Sequence, residues 1–215
     1  MKTLIYIDHF KGQVQPAAWE ALGVAKSFGE AAAVIFGSGL DALTKAAFEF
    51  GADKVLVADD PNLQDYRAEA FAATLSTLAS KEKPDLILLP TTSRTRELAA
   101  MTAIDLNTGV LVDVTALAME VDKLVATRPI YEGKLMERTH CTGKPVIATL
   151  RARAFPRPVQ DASRSGSAVK VEAKTDSPAK VEGYALAEAS VSVTDAGVIV
   201  SGGRGKSEDT VTGGL

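Results

Sequence analysis

Cysteine is nearly missing from this sequence: Cys141 is the single one, and His9 and His140 are the only histidines among 215 residues. One thiol excludes a disulfide framework, and one thiol with two imidazoles is too small a donor set for a Cys/His zinc site. The expected surroundings are reducing. Charge of one sign is lacking as well. The 24 basic and 27 acidic residues are spread along the chain and leave a formal net charge of −3, so no polybasic run exists to neutralise a nucleic-acid backbone or an anionic membrane. Long apolar runs do not occur either. Leu4 to Ile7 is far shorter than a secretory signal core and leads straight into Asp8, His9, Phe10 and Lys11, and no stretch reaches the roughly 18 apolar residues of a membrane-spanning helix. The expected location is the bacterial cytoplasm.

What the sequence does have is a core and a rhythm. With 46% hydrophobic residues the chain can bury a sizeable interior. Up to Asn107 the apolar runs are continuous and not alternating: Leu4–Ile7, Ala33–Phe36, Val55–Ala58 and Leu86–Leu89. Runs of that kind suit strands covered on both faces. Between them fall helical stripes at Ala18, Ala21, Leu22, Ala25 and Phe28, at Leu43, Ala46, Ala47 and Phe50, and at Ala68, Phe71, Ala72, Leu75, Leu78 and Ala79. Strand and helix in this alternation predict an α/β fold with a mostly parallel sheet and helices on both faces. Asp41 is placed to cap the second helix, Gly51 to end it, and Pro84-Asp85 to introduce the fourth strand. A fourth helix, about 96–107, is apolar nearly all round and is expected to be deeply buried.

After Thr108 the pattern turns to alternation broken by polar turns, over Val110–Met119, Leu124–Tyr131, Leu135–Cys141 and Val146–Arg151. This predicts antiparallel hairpin strands extending the sheet. Residues of about 156–180 collect Pro, Ser, Arg, Lys and Asp and read as a surface, linker-like stretch with one edge strand at Val169-Lys170-Val171. Val181–Leu186 and Val198–Val200 are further expected strands, the second running into the glycine-rich turn Ser201-Gly202-Gly203-Arg204-Gly205.

Few residues carry recognisable chemistry. The two histidines have no nucleophile at hand and are expected to be structural, and Cys141, in an alternating strand, reads as a small buried hydrophobe. Gly205-Lys206-Ser207 resembles the end of a phosphate-binding loop, but Val200 stands where that loop needs glycine. Thr91-Thr92-Ser93-Arg94-Thr95-Arg96-Glu97 follows a strand and opens a helix, the place where open α/β sheets bind ligands. Its hydroxyls and helix N-terminus could hold an anion, which makes a stand-alone nucleotide-binding α/β domain one reading. The plainer one has Ser93 or Thr95 capping the helix with support from Glu97. Arg128 is open to the same two readings, and a purely structural subunit of a larger complex is a third class.

Taken together, Val198–Gly205, the hairpin Thr127-Arg128-Pro129-Ile130-Tyr131-Glu132-Gly133-Lys134, Gly51–Val55 and Pro84–Thr92 resemble the α subunit of electron transfer flavoprotein, the FixB-like family, from Lys2 to about Gly205. The resemblance implies a heterodimer with a β subunit. It implies an electron carrier, not an enzyme, that takes electrons from flavin dehydrogenases such as the acyl-CoA dehydrogenases of fatty acid β-oxidation and passes them to a quinone oxidoreductase. In that scheme 1–200 is the N-terminal α/β domain, which docks β, and 201–215 opens an FAD-binding domain. FAD lies mainly in that second domain with Arg204 as a contact, and AMP lies in β. Two departures accompany the likeness. Thr95 stands where the family has glycine before Arg96-Glu97-Leu98, which argues against close nucleotide approach. The remaining flavin contacts of the family have no counterpart here, so this chain alone is not expected to retain FAD.

Overall fold

A computed structural model describes residues 1–185 and 198–202. The chain divides into two units, Met1–Lys180 and Val181–Leu215. The described residues of the second unit form no helix or strand. Val181–Ala185 is therefore not a strand, and Val198–Val200 is an exposed bend and coil, in contrast to the expectation for both. Val198–Val200 has no pairing partner among the described residues, and a strand needs a neighbour to satisfy its amides. Arg204 and the rest of its turn beyond Gly202 lie outside the described residues, as does Leu186.

The first unit follows the predicted alternation. Strand β1 (Lys2–Tyr6) leads through the short pair β2 (His9–Phe10) and β3 (Gln13–Val14) to helix α1 (Pro16–Phe28). Then come β4 (Glu30–Gly37), α2 (Asp41–Glu49), β5 (Lys54–Asp59), α3 (Ala68–Glu82), β6 (Leu86–Pro90) and α4 (Ser93–Asp105). The second half adds β7 (Val110–Val114), β8 (Ala116–Glu120), β9 (Lys123–Ile130), β10 (Leu135–His140), β11 (Val146–Leu150) and β12 (Ser167–Lys170). Seven strands form one sheet in the order β12-β5-β4-β1-β6-β11-β7, and every pairing in it is parallel.

Alternate residues of each strand point to opposite faces, and each face has its own cover. Ile5, Ala33, Ile35, Val55 and Leu88 pack with Ala18, Leu22, Leu43 and Ala47 of α1 and α2. Leu4, Val34, Phe36, Leu56 and Ile87 pack with Phe71, Leu75, Leu78, Leu98 and Ala99 of α3 and α4. Covering both faces is why these strands read as unbroken apolar runs.

The second half corrects the sequence reading in its details. Val110–Met119 is two strands: Asp113, at φ 62, makes the end of the first irregular, and Thr115 separates it from the second. Its first part, β7, joins the main sheet parallel to β11, and its second part, β8, pairs with β9 in a separate three-stranded antiparallel sheet, β10-β9-β8. Val146–Leu150 is no hairpin strand at all: β11 inserts between β6 and β7 and is buried throughout. The expected edge strand is β12, parallel to β5, with all four residues exposed. Cys141 lies just past β10 and is partly exposed, not the buried hydrophobe expected of it.

Two helix boundaries also differ. Asp41 is the first residue of α2 and makes no capping hydrogen bond, Leu40 being the residue before the helix; the carboxylate still suits the positive end of the helix. Gly51, at φ 111, ends that helix as expected. Helix α4 starts at Ser93 and is covered on one side only. Leu98, Ala99, Thr102 and Ala103 face the core, while Ile104 is 79% exposed. Apolar composition without a dominant stripe had concealed that direction.

Candidate functional site

The loops after β1 and β6 meet at the carboxyl edge of the sheet. These two strands are neighbours, yet β1 sends the chain toward α1 on one face and β6 sends it into α4 on the other. Such a reversal opens a crevice in a parallel sheet and is the usual ligand position in the fold class. Here the crevice holds Asp8, His9 and Phe10 from the first loop, Thr92, Arg94 and Glu97 from the second, and Tyr66 from the approach to α3.

Asp8 is 1% exposed. Its carboxylate accepts hydrogen bonds from the Arg94 guanidinium at 3.0 Å and the Thr92 hydroxyl at 3.1 Å. Burial raises the Asp8 pKa, and Arg94 and Thr92 pull it back only in part. The Arg94 guanidinium carbon stands 5.9 Å from the ring centres of both Phe10 and Tyr66, within cation–π range. The Tyr66 hydroxyl lies 3.0 Å from the Arg94 carbonyl and 3.2 Å from the Glu97 carboxylate. Burial, then the Glu97 charge, pushes the Tyr66 pKa well above its ordinary value.

His9 places Nε2 2.8 Å from the Phe36 carbonyl. A carbonyl only accepts, so Nε2 carries the proton in this contact and Nδ1 is left as an acceptor, buried and without a hydrogen-bond partner among the described residues. Burial lowers the His9 pKa, in keeping with a neutral ring. His9 thus ties the β2 turn to the end of β4.

The helix start at α4 is built differently from either sequence reading. Thr92 is the cap: its Oγ1 accepts from the Thr95 N–H at 3.2 Å, and the Thr92 N–H donates to Thr95 Oγ1 at 2.9 Å. Thr95 Oγ1 also donates to the Pro90 carbonyl. This reciprocal box uses Thr95 where a Glu or Gln is commoner. Ser93 and Arg96 face outward, and Glu97 turns to Tyr66 instead of supporting the cap. The Thr92 and Thr95 hydroxyls and the Arg94 guanidinium, which could have held an anion, are thereby committed to the protein itself.

Further along the same edge, Thr149 Oγ1 lies 3.0 Å from Thr91 Oγ1 and accepts from the Asp113 N–H at 3.0 Å. The Asp113 carboxylate takes two hydrogen bonds from Arg151, one from Nε at 3.1 Å. Arg128 is occupied elsewhere: it pairs with Glu137, its cross-strand neighbour in the small sheet. His140 is exposed on β10.

The structure therefore gathers the Thr91–Glu97 loop with Asp8, His9, Phe10 and Tyr66, and leaves Arg128 apart. The sequence had one signal for Asp8, a charged residue directly after a buried strand. Tyr66, 28 residues from Arg94, had none. Among the described residues no three or more His, Cys, Asp or Glu side chains cluster as a metal site.

The electron transfer flavoprotein domain model matches residues 3–176. The electron transfer flavoprotein subunit alpha of Thermoanaerobacterium thermosaccharolyticum is 34% identical over 212 residues, covering 94% of this chain and 64% of that protein. The subunit alpha of Bacillus subtilis is 30% identical over 209 residues, with 95% and 64% covered. Protein FixB of Azorhizobium caulinodans is 35% identical over 167 residues, with 73% and 45% covered. The chain thus spans just under two thirds of the length of the first two relatives. No helix among the described residues is long and apolar enough to cross a membrane. A parallel sheet with an added antiparallel sheet and a model match over most of its length place this chain in the electron transfer flavoprotein family, among relatives named subunit alpha and FixB.

Proposed function

We propose that this chain is the N-terminal α/β part of an electron transfer flavoprotein α subunit that works as an electron carrier in the bacterial cytoplasm. The single observation that supports this is the family match across residues 3–176. In this reading 1–200 docks a β subunit that holds AMP, and 201–215 begins the FAD-binding domain. The whole protein accepts electrons from acyl-CoA dehydrogenase-type flavoenzymes and delivers them to a quinone oxidoreductase. The flavin supplies the redox chemistry and the polypeptide supplies its position and electrostatics.

In this reading FAD is held mainly by the second domain and not by the residues described. Cavities of about 380, 360 and 440 Å³ lie around Met1, Asp85 and Cys141, around Phe28, Leu117 and Phe155, and around Thr108, Gly109 and Gly143. Each is at the small end for a drug-sized ligand, in keeping with that reading. The contact assigned to this chain is Arg204, whose planar fork suits a phosphate or the flavin ring edge. A version extended to the full length of the relatives and co-expressed with β is expected to purify yellow, and Arg204→Ala to lower its flavin-to-protein absorbance ratio. A folded but colourless heterodimer would refute the reading.

A further inference from the structure

We propose that the crevice at the carboxyl ends of β1 and β6 is a seat for a planar cation, and that Arg94 fills it in cis. This is independent of the electron-transfer reading, since it concerns only what the crevice selects. Sites for nucleotides and other anions at this position present N–H groups and positive charge to the ligand. This one presents the reverse. Its deepest group is the Asp8 carboxylate, 1% exposed, and its walls are the Phe10 and Tyr66 rings, whose faces attract positive charge.

The two threonine hydroxyls and the guanidinium that would favour an anion are already engaged. Thr92 and Thr95 complete the helix cap, and the Thr92 hydroxyl donates to Asp8. The Arg94 side chain is 30% exposed, so the seat reaches solvent and is not a sealed core. The guanidinium meets every feature at once, with one N–H group on Asp8 at 3.0 Å and its carbon 5.9 Å from both ring centres. Arg94 also ties the loop after β1 to the start of α4. Its removal would leave a carboxylate at the end of an aromatic slot, with room for the atoms taken away.

The test uses the full chain. Arg94→Ala is expected to melt on the order of 10 °C below wild type, as loss of one partner of a buried pair implies for a domain of this size. Millimolar methylguanidinium chloride should restore at least half of that loss, since a ligand that binds only the folded state raises its stability. Sodium chloride at equal ionic strength, urea and AMP should not. Wild type, whose seat is taken, should show no shift, and Arg94→Ala/Asp8→Asn should lose the rescue. Equal shifts in wild type and variant, no shift in Arg94→Ala, or rescue by AMP would each overturn the proposal. Where Arg94→Ala fails to accumulate folded, refolding from denaturant reads the same question. A higher folded yield with methylguanidinium supports the seat, and an unchanged yield overturns it.

Discussion

Asp8 and Asp113 both stand at the carboxyl edge of one sheet, each paired with an arginine, and their proton affinities move in opposite directions. For Asp113 the hydrogen bonds from Arg151 outweigh burial and lower the pKa. For Asp8 burial outweighs Arg94 and raises it. A depressed folded pKa means stability that is present above the unfolded value, near 3.9 for Asp, and lost as pH falls through the folded value. A raised one means the opposite, stability gained as pH falls through the folded value. Asp113→Asn is therefore expected to lower stability near pH 7 by about 1 kcal/mol or less, since Arg151 is largely solvent-screened, and asparagine tolerates the left-handed backbone there. Urea unfolding at pH 7 and at about pH 3, below the unfolded value, is the measurement. The deficit should shrink at the lower pH, and an equal deficit at both would show that the carboxylate charge is irrelevant.

Helix α4 shows how an element can be readable in kind and unreadable in detail. Its apolar residues announced a helix, but a sequence rich in Ala, Met, Ile and Leu does not say which side faces the sheet, and Ile104 proved to be outside. The cap was equally ambiguous. Four hydroxyl residues, Thr91, Thr92, Ser93 and Thr95, precede the first buried leucine, and only the Thr92–Thr95 reciprocity singles one out. Thr92 also meets Asp8, a residue 84 positions away, and no local pattern encodes such a partner. Thr92→Ala is expected to cost about 1–2 kcal/mol through the lost cap, with a further loss from the Asp8 hydrogen bond. Thr92→Ser should recover most of both, because it keeps the oxygen. Urea midpoints of the two variants decide this, and a Ser variant as weak as the Ala variant would assign the effect to the methyl group instead.

At the scale of the molecule, the parallel half of the sheet was legible because a strand buried on both faces must be apolar at every position. The same property hid β11. Val146–Leu150 has five buried residues, yet it follows the hairpin segment β9–β10, and its sequence position suggested another hairpin strand. Only the global packing reveals that it completes the sheet between β6 and β7. The crevice was legible as a location, from the strand-to-helix transition at Thr91, but its negative floor depends on Asp8, and its aromatic walls on Phe10 and Tyr66, from two other segments brought to it by folding.

This architecture also makes a prediction about cooperativity. Each central strand contributes alternate residues to the two cores, so neither core can dissolve while the strands stay in place. Trp19, stacked on Phe50 at 4.5 Å, reports the α1–α2 side, whereas Leu75, fully buried, belongs to the α3–α4 side. Leu75→Ala should cost about 2–5 kcal/mol by leaving a cavity. If the sheet couples the two sides, the Trp19 fluorescence transition in urea shifts by the same amount as the far-UV circular dichroism transition, although the substitution is on the opposite face. A fluorescence midpoint that stays at its wild-type value while the dichroism moves would show that the two layers unfold separately.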